Sequence, residues 1–367
     1  MKPTTFLPHI LALLLAAGLL FITGCDDDSD DDEPTSTEFD RAVMLANYAD
    51  NLIVPAYETS ISKASDLATA INTFLANPTA QTLPAAQTAW TEAYSAWQST
   101  SAYNFGPAEN SFGTLLEDIG TYPVDANLTE AYIAAGDTSF GNFDRDTRGY
   151  LTAEYLLFST DAATQLAQSA NRRAYLRSVV RNIVESLSGT RSGWDSYRAE
   201  FVASVGTDAG SSTAVLYNEF VKNFEAVKNF KVGLPLGKRP GQTQTEPQNV
   251  EALYSGQSKE MFKLNFASVE RIYKGESEGT TGPGLADFLR SVVGGEDLYN
   301  ATLAQIEVVK KAEQALPANQ TWRELVESNS TEADTYHTEL QRLTRFFKSD
   351  MSSLLGIAIT FDSGDGD

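Results

Sequence analysis

Apolar residues recur along most of the chain at the three- and four-residue spacing of an amphipathic α-helix. In residues 173–187, Leu176, Val179, Val180 and Ile183 fall on one face, and the opposite face is charged. The alternation of apolar and polar residues that is typical of half-buried strands is scarce. The pattern therefore predicts an all-α protein of long, antiparallel helices.

The same spacing predicts helices separated by turns that contain glycine and proline. The predicted helices are residues 39–57, 85–97, 173–187, 213–230, 250–273, 297–315, 322–327 and 332–351. The stretch GTDAGSST, residues 206–213, is the best candidate for a domain boundary. We therefore expect two packed helical bundles, an N-terminal one over residues 38–206 and a C-terminal one over residues 207–361. The long loop 232–248 is either functional or a plain surface connector.

The N-terminus has the features of an export signal. Lys2 precedes an apolar run, residues 10–22, which is too short for a comfortable membrane span and ends in Ile-Thr-Gly-Cys25. This arrangement resembles the bacterial lipobox, which implies a signal peptide over residues 1–24 and a lipid on Cys25. The alternative is an uncleaved anchor. We expect a lipid-anchored protein of the cell envelope, on the periplasmic face or the cell surface, and the sequence does not decide which membrane leaflet carries it.

Acidic residues dominate both the region after Cys25 and the chain as a whole. The run DDDSDDDE, residues 26–33, repels itself, so residues 25–37 are expected to form a disordered tether. Residues 362–367 form a short acidic tail. The formal net charge is −22, which disfavours binding to nucleic acid. The lipid predicted on Cys25 makes the membrane the expected partner. An envelope transport component or a small ligand is the other candidate.

Residue counts exclude several classes of hydrolase. The chain has two histidines, and His9 lies in the signal peptide, so a zinc site with two histidines of the mature chain is excluded. The one cysteine, Cys25, is assigned to lipidation, which excludes a cysteine protease. His337 lies in EADTYHTEL three residues after Asp334, and the pattern favours an exposed helix histidine. No Gly-x-Ser-x-Gly elbow accompanies it.

Carboxylates within apolar segments are the remaining candidates for chemistry. Glu154 lies in GYLTAEYLLF, where a charge is costly unless it is paired or coordinated. The segment LLEDIGTYPVD contributes Glu117, Asp118 and Asp125, whose oxygens suit a hard cation. No EF-hand spacing is present, so Glu154 and Asp118 are only weak metal-ligand candidates.

GYLTAEYLLF resembles the Gly-x-His-x-x-Glu segment of the imelysin family of envelope proteins. Gly149 and Glu154 match the glycine and the glutamate, and Leu151 stands in place of the histidine. Further segments match in the family's order: TSAYNFGP at 100–107, TYPVD at 121–125, KVGLPL at 231–236, YSGQS at 254–258 and GLADFL at 284–289. The resemblance spans residues 39–361.

The resemblance implies a two-domain helical fold with a site near the domain interface. The residues expected to line this cleft are Phe105, Gly106, Pro107, Tyr122, Pro123, Asp125, Pro235, Ser255 and Ser258. Some members of the family are described as peptidases, and others are thought to bind iron through the histidine and glutamate, which share a helix face.

Two ligands that the family implies are missing from this chain. Leu151 removes the nitrogen ligand, and Ser101-Ala102 stand where many members have an acidic residue. We therefore expect a binding module and not an enzyme, which serves iron or nutrient acquisition with a degenerate metal site. Glu154 then pairs with an arginine such as Arg148 or hydrogen-bonds a helix end, unless the site is remodelled around a divalent metal such as iron. The alternative is a metal-dependent peptidase that uses Glu154, Asp118 and Asp125.

Overall fold

A computed structural model describes residues 39–110, 113–277 and 279–361, and these residues are mainly helical. The prediction of an all-α fold is confirmed. The predicted signal peptide, Cys25, the acidic tether and the acidic tail lie outside the described residues. The boundary predicted near residues 206–213 falls in the connection between two long helices, and the division into two bundles stays a prediction.

The first half of the described chain contains eight α-helices. They are α1 (Arg41–Asn47), α2 (Val54–Ala76), α3 (Leu83–Thr100), α4 (Leu115–Ile119), α5 (Ala126–Ala135), α6 (Gly149–Phe158), α7 (Ala162–Gln168) and α8 (Ala170–Ala203). A π-helical segment, Tyr48–Ile53, joins α1 to α2 without a break. Strands β1 (Glu109–Asn110) and β2 (Gly113–Thr114) form a small antiparallel hairpin before α4.

The second half of the described chain repeats this helical character. Its helices are α9 (Ser212–Glu225), α10 (Ser258–Lys274), α11 (Leu285–Arg290), α12 (Gly295–Gln314), α13 (Trp322–Glu327), α14 (Thr331–Thr344) and α15 (Met351–Leu355). The π-helical segment Ala226–Gly233 continues α9, and the π-helical segment Arg345–Asp350 joins α14 to α15. Strands β3 (Glu276–Ser277) and β4 (Thr280–Thr281) form a second hairpin.

One predicted helix begins later than its apolar spacing suggests. The prediction placed a helix over residues 250–273, but α10 begins at Ser258 and the residues before it form turns. Ala252 and Gly256 have positive φ angles of 51° and 71°, which a right-handed helix does not allow. This segment, residues 250–257, is called the 250–257 turn below because it contributes to the candidate site.

Helix α3 is at the centre of the packing. It lies along α2 and contacts both α6 and α10, while α2 and α6 also pack on α8. Trp90, Tyr94 and Trp97 of α3 are buried, and Tyr150 of α6 packs against the last two rings. Because α3 touches helices from both halves of the chain, its buried face positions residues that are far apart in sequence.

Among the described residues, the helices are too short or too polar to cross a membrane.

Candidate functional site

The segment that resembles the family motif forms helix α6, which begins at a glycine. Gly149 has a φ of 79°, and a Cβ atom at this position would lie 2.4 Å from the carbonyl oxygen of Ile119. The residue before it, Arg148, is buried and forms an ion pair of 2.6 Å with Asp118. The glycine therefore lets α6 pack directly on the end of α4.

Leu151 and Glu154 lie on the same face of α6, as the spacing predicts. Both are buried, and both line a cavity of about 300 Å³ that we call the motif cavity. Tyr122 and Pro123, joined by a cis peptide bond, form another part of its wall. Residues 248–250 and 252–254 also line it.

Glu154 binds the backbone of the 250–257 turn. Its Oε1 atom accepts a hydrogen bond of 2.7 Å from the backbone N–H of Ser255. Burial raises the pKa of Glu154 to about 7, and the negative charge of Glu251 adds to the rise, while hydrogen bonds from Ser255 and Tyr254 oppose it. The side chain of Glu154 therefore fastens this turn to α6.

The arginine that was considered as a partner of Glu154 pairs elsewhere. Arg148 binds Asp118, and its guanidinium also donates to the carbonyl of Phe140 at 2.9 Å. Glu154 accepts its hydrogen bond from Ser255, which lies in the 250–257 turn three residues before α10 begins, so its partner is a turn and not the helix end that was expected.

The other carboxylates that were considered as metal ligands also have protein partners. Glu117 forms an ion pair of 2.9 Å with Arg145, and Asp118 pairs with Arg148. Asp125 caps α5 by accepting a hydrogen bond of 2.9 Å from the backbone N–H of Leu128. Within the described part of the chain, no three His, Cys, Asp or Glu side chains are grouped so that they could hold a metal ion. These donors do not fit a bound iron, because Leu151 stands at the position where the resemblance implies a nitrogen ligand.

Three predicted cleft residues lie away from the motif cavity. The ring of Phe105 packs against Trp194 and Phe201 on the C-terminal part of α8. Gly106 faces the ring of Tyr197, and Pro107 lies against Gly193. This turn therefore packs on α8.

Of the remaining predicted cleft residues, Ser255 and Ser258 support the walls around Glu154, and Pro235 lies in the loop 232–248. Ser255 holds Glu154, and the hydroxyl of Ser258 donates to the carbonyl of Glu251. The carbonyl of Pro235 accepts a hydrogen bond of 2.8 Å from the N–H of Glu246, which closes the loop that was predicted over residues 232–248.

A second cavity, which we call the main cavity, has a volume of about 530 Å³. Its walls include aromatic rings from both halves of the chain, and Tyr122 lines both this cavity and the motif cavity. The other rings are Tyr94, Trp97, Phe230 and Phe361. This volume falls in the usual range for small-molecule sites, roughly 300–1,000 Å³.

A buried polar network forms one wall of the main cavity. Lys231 forms an ion pair of 2.9 Å with Glu251, and its ammonium also donates to Gln98 at 2.6 Å. The hydroxyl of Tyr94 donates to Glu251 Oε1 at 2.5 Å. Burial and the nearby charge of Glu251 raise the pKa of Tyr94, so the hydroxyl stays protonated.

Sequence reasoning did not identify Lys231 or Glu251 as site residues. Lys231 is the first residue of KVGLPL, and Glu251 lies three residues before YSGQS, so both adjoin segments that carry the resemblance. The available signal was a charged residue within a mainly apolar run, which is the signal that identified Glu154.

His337 differs from its prediction as an exposed histidine. It is partly buried and lies close to Gly233. Burial, together with the positive charges of Lys228 and Lys238, lowers the pKa of His337 to about 4. Asp334 pairs with Lys238 at 3.0 Å. The imidazole is therefore neutral at pH 7.

Comparisons with known proteins identify relatives of most of the helical region. The family described as Imelysin matches residues 53–345. The chain is similar to iron-regulated protein A of Synechococcus elongatus, with 25% identity over 259 residues, 67% of this chain and 68% of that protein.

Two solved structures share the fold. One, a predicted iron-regulated protein A precursor from Parabacteroides distasonis ATCC 8503, is 20% identical and has a TM-score of 0.72 over 87% of this chain and 96% of that one. The other, an imelysin-like protein from Psychrobacter arcticum 273-4, is 19% identical and has a TM-score of 0.70 over 88% and 97%.

Proposed function

The chain belongs to the imelysin family, and we propose that it is a non-catalytic binding protein of the cell envelope that serves iron or nutrient acquisition. It binds a small ligand or a partner and holds no catalytic metal. The name of the cyanobacterial relative, iron-regulated protein A, supports the connection with iron. The Cys25 motif and the word precursor in the description of the Parabacteroides protein support export to the envelope.

One observation carries the non-catalytic part of the proposal. Leu151 occupies the position at which the family motif has histidine, and Glu154, one turn later, binds the N–H of Ser255. A lone carboxylate is a weak site for transition metals, which prefer imidazole nitrogen. The motif cavity therefore lacks the ligand pair that a metal-dependent reaction would need.

One observation favours the alternative, a hydrolase that uses Glu154, Asp118 and Asp125. The pKa of Glu154 is about 7, which is the range in which a carboxyl group works as a general acid or base near neutral pH. Against this alternative, Asp118 is paired with Arg148 and Asp125 caps α5, so both carboxylates already have structural partners.

The first experiment measures peptide hydrolysis and metal content of protein purified without chelator. We expect no cleavage of a casein or insulin B-chain substrate and no stoichiometric iron or zinc by elemental analysis. Cleavage that chelator abolishes and added metal restores would replace the binding proposal with the hydrolase.

The second experiment tests the vacated ligand position directly. Calorimetric titration with zinc, and with ferrous iron under anaerobic conditions, is done at high salt to screen the acidic surface. We expect weak binding by the native chain and tighter binding by Leu151→His, which restores one nitrogen ligand beside Glu154. Val43→His adds the same ligand on the exposed face of α1 and is the matched control. Sub-micromolar binding by the native chain that Glu154→Ala removes would contradict the proposal.

A further inference from the structure

The polar wall of the main cavity is made of side chains whose orientations are fixed by one another. Asn265 Nδ2 donates to the backbone carbonyl of Gln98 at 3.0 Å and to Asn223 Oδ1 at 3.1 Å. Rotating the Asn265 amide would place its oxygen against that carbonyl, so the assignment of its nitrogen and oxygen is determined by the network. The Asn223 amide is then fixed as well, because its oxygen must face Asn265.

Three polar atoms of this wall have no hydrogen-bond partner among the described residues. They are Oε2 of Glu251, Oδ1 of Asn265 and Nδ2 of Asn223. All three side chains line the main cavity, and they are 2%, 1% and 8% exposed. Buried polar groups are costly unless they are hydrogen-bonded, so these atoms require partners that the surrounding protein does not supply.

The charge of this wall is already balanced within the protein. Glu251 is paired with Lys231, and its Oε1 atom also accepts the hydroxyl of Tyr94. What this wall still offers a ligand is hydrogen bonding without a net charge. It has two acceptor atoms, on Glu251 and Asn265, and one donor group, on Asn223. A charged ligand at this wall would find no free opposite charge, because the ammonium of Lys231 and the carboxylate of Glu251 bind each other. The other charged side chains that line the cavity are also engaged: Glu117, Glu219 and Glu225 pair with Arg145, Lys222 and Lys228, and Arg239 lies over the ring of Phe230.

The remaining walls favour a flat apolar body. Trp97 and Tyr122 line the cavity, and Phe230, which is 39% exposed, also contributes to its wall. Arg239 stacks over the ring of Phe230 with its guanidinium carbon 4.4 Å from the ring centroid. Aromatic rings prefer to stack on other planar groups in an offset arrangement. Because Phe230 lines the cavity and is also exposed, the cavity lies next to the protein surface at this residue.

We propose that the main cavity binds a neutral organic molecule with a planar apolar body and a primary carboxamide. The carboxamide oxygen accepts from Asn223 Nδ2, and the two N–H groups donate to Asn265 Oδ1 and Glu251 Oε2. One acceptor and two donors on the ligand match one donor group and two acceptors on the wall. This inference rests on the proposed binding function and adds the class of ligand.

The test uses three matched probes on the full chain. Benzamide carries the carboxamide, benzoate replaces it with an anion, and benzylamine replaces it with a cation. Their affinities are measured by ligand-observed NMR titration at pH 7.5. We expect saturable binding of benzamide and at least about tenfold weaker binding of the other two, because each leaves buried groups unpaired.

Two variants place the bound carboxamide. Asn223→Asp keeps the oxygen that faces Asn265 and replaces the donor with an acceptor, so benzamide affinity should fall at least about tenfold. Asn72→Asp, on the exposed face of α2, adds the same charge away from the cavity and should leave the affinity for benzamide unchanged. Phe230→Ala removes a partly exposed wall residue, leaves the buried network intact, and should also weaken benzamide binding. This variant provides the test if Asn223→Asp fails to fold.

Three results would overturn the ligand class. They are no saturable binding of benzamide, binding of benzoate or benzylamine as tight as that of benzamide, and benzamide binding that neither cavity variant weakens. A chain that cleaves peptides fails the proposed function whatever its response to benzamide. A chain that is inactive, metal-free and indifferent to benzamide fails only the ligand class.

Discussion

At the level of single residues, Glu154 has an unusual environment for a carboxyl group. Burial raises its pKa from the ordinary value near 4.5 to about 7, although Ser255 donates a hydrogen bond to it. The desolvation of the charged form outweighs the hydrogen bonds that favour it. The folded protein therefore holds a proton on Glu154 at a pH at which the unfolded chain has lost it.

Stability should depend on pH through this one group. Below about pH 4.5 Glu154 is protonated in both states, between about 4.5 and 7 only the unfolded chain ionises, and above 7 both states are ionised. Its contribution to the free energy of unfolding therefore falls as pH rises through that window. Glu154→Gln cannot titrate, so its stability relative to the native chain should rise by about 2–3 kcal/mol from pH 5 to pH 8.

Urea unfolding at pH 5, 6.5 and 8 measures this difference. Glu185→Gln removes an exposed carboxyl on α8 and should follow the native chain across the series. Parallel pH profiles for the native chain and Glu154→Gln would contradict the assignment of a raised pKa to Glu154.

The sequence identified Glu154 as unusual but could not identify its partner. A glutamate within an apolar segment implies some compensation, and the nearby Arg148 was one candidate. The actual donor, the N–H of Ser255, is 101 residues away in sequence. Backbone groups leave no trace in residue type, so this contact had no signal in a single sequence.

At the level of elements, helix α6 depends on its first residue. Gly149 has a φ of 79°, and an added Cβ atom would lie 2.4 Å from the Ile119 carbonyl oxygen. Residues other than glycine rarely adopt that backbone conformation. The carbonyl of Ile119 belongs to the backbone and cannot rotate away as a side chain could. The contact of α6 with α4 therefore requires glycine.

Gly149→Ala should lower the free energy of unfolding by about 3 kcal/mol or more. The same substitution at Gly189, in the middle of α8 with open space around its Cα, should raise it by about 0.5–1 kcal/mol, because alanine favours helix more than glycine does. Thermal and urea unfolding of the two variants provide the comparison. Equal effects at the two positions would rule out the close approach.

A helix could be predicted from its apolar spacing only where one face is buried and the other is exposed. Helix α8 was recognised from its spacing because one face is exposed and one is buried. Helix α6 is buried on nearly all sides, so its apolar residues show no period and only the family resemblance indicated it. The 250–257 turn was wrongly included in a helix because its apolar residues, Val250 and Ala252, are buried in a turn.

At the level of the whole molecule, the N-terminal motif predicts where the protein resides. Cys25 lies outside the described residues, and the evidence for its lipidation is the small-residue motif before it. Cys25→Ser should release the protein from membrane fractions or stop its maturation, as judged by fractionation and immunoblotting. Co-sedimentation of the variant with membranes at the parental level would exclude lipid as the anchor.

The 250–257 turn carries Glu251 to the main cavity and is fastened by Glu154 at the motif cavity. The charge of Glu251 is also one cause of the raised pKa of Glu154. A ligand that alters the field of Glu251 must then alter the proton affinity of Glu154. Thermodynamic linkage makes this effect reciprocal, so protonation of Glu154 must change the affinity for that ligand by the same factor. The two cavities would therefore be linked through this turn, and the link is weak because burial raises the pKa of Glu154 more than the charge of Glu251 does.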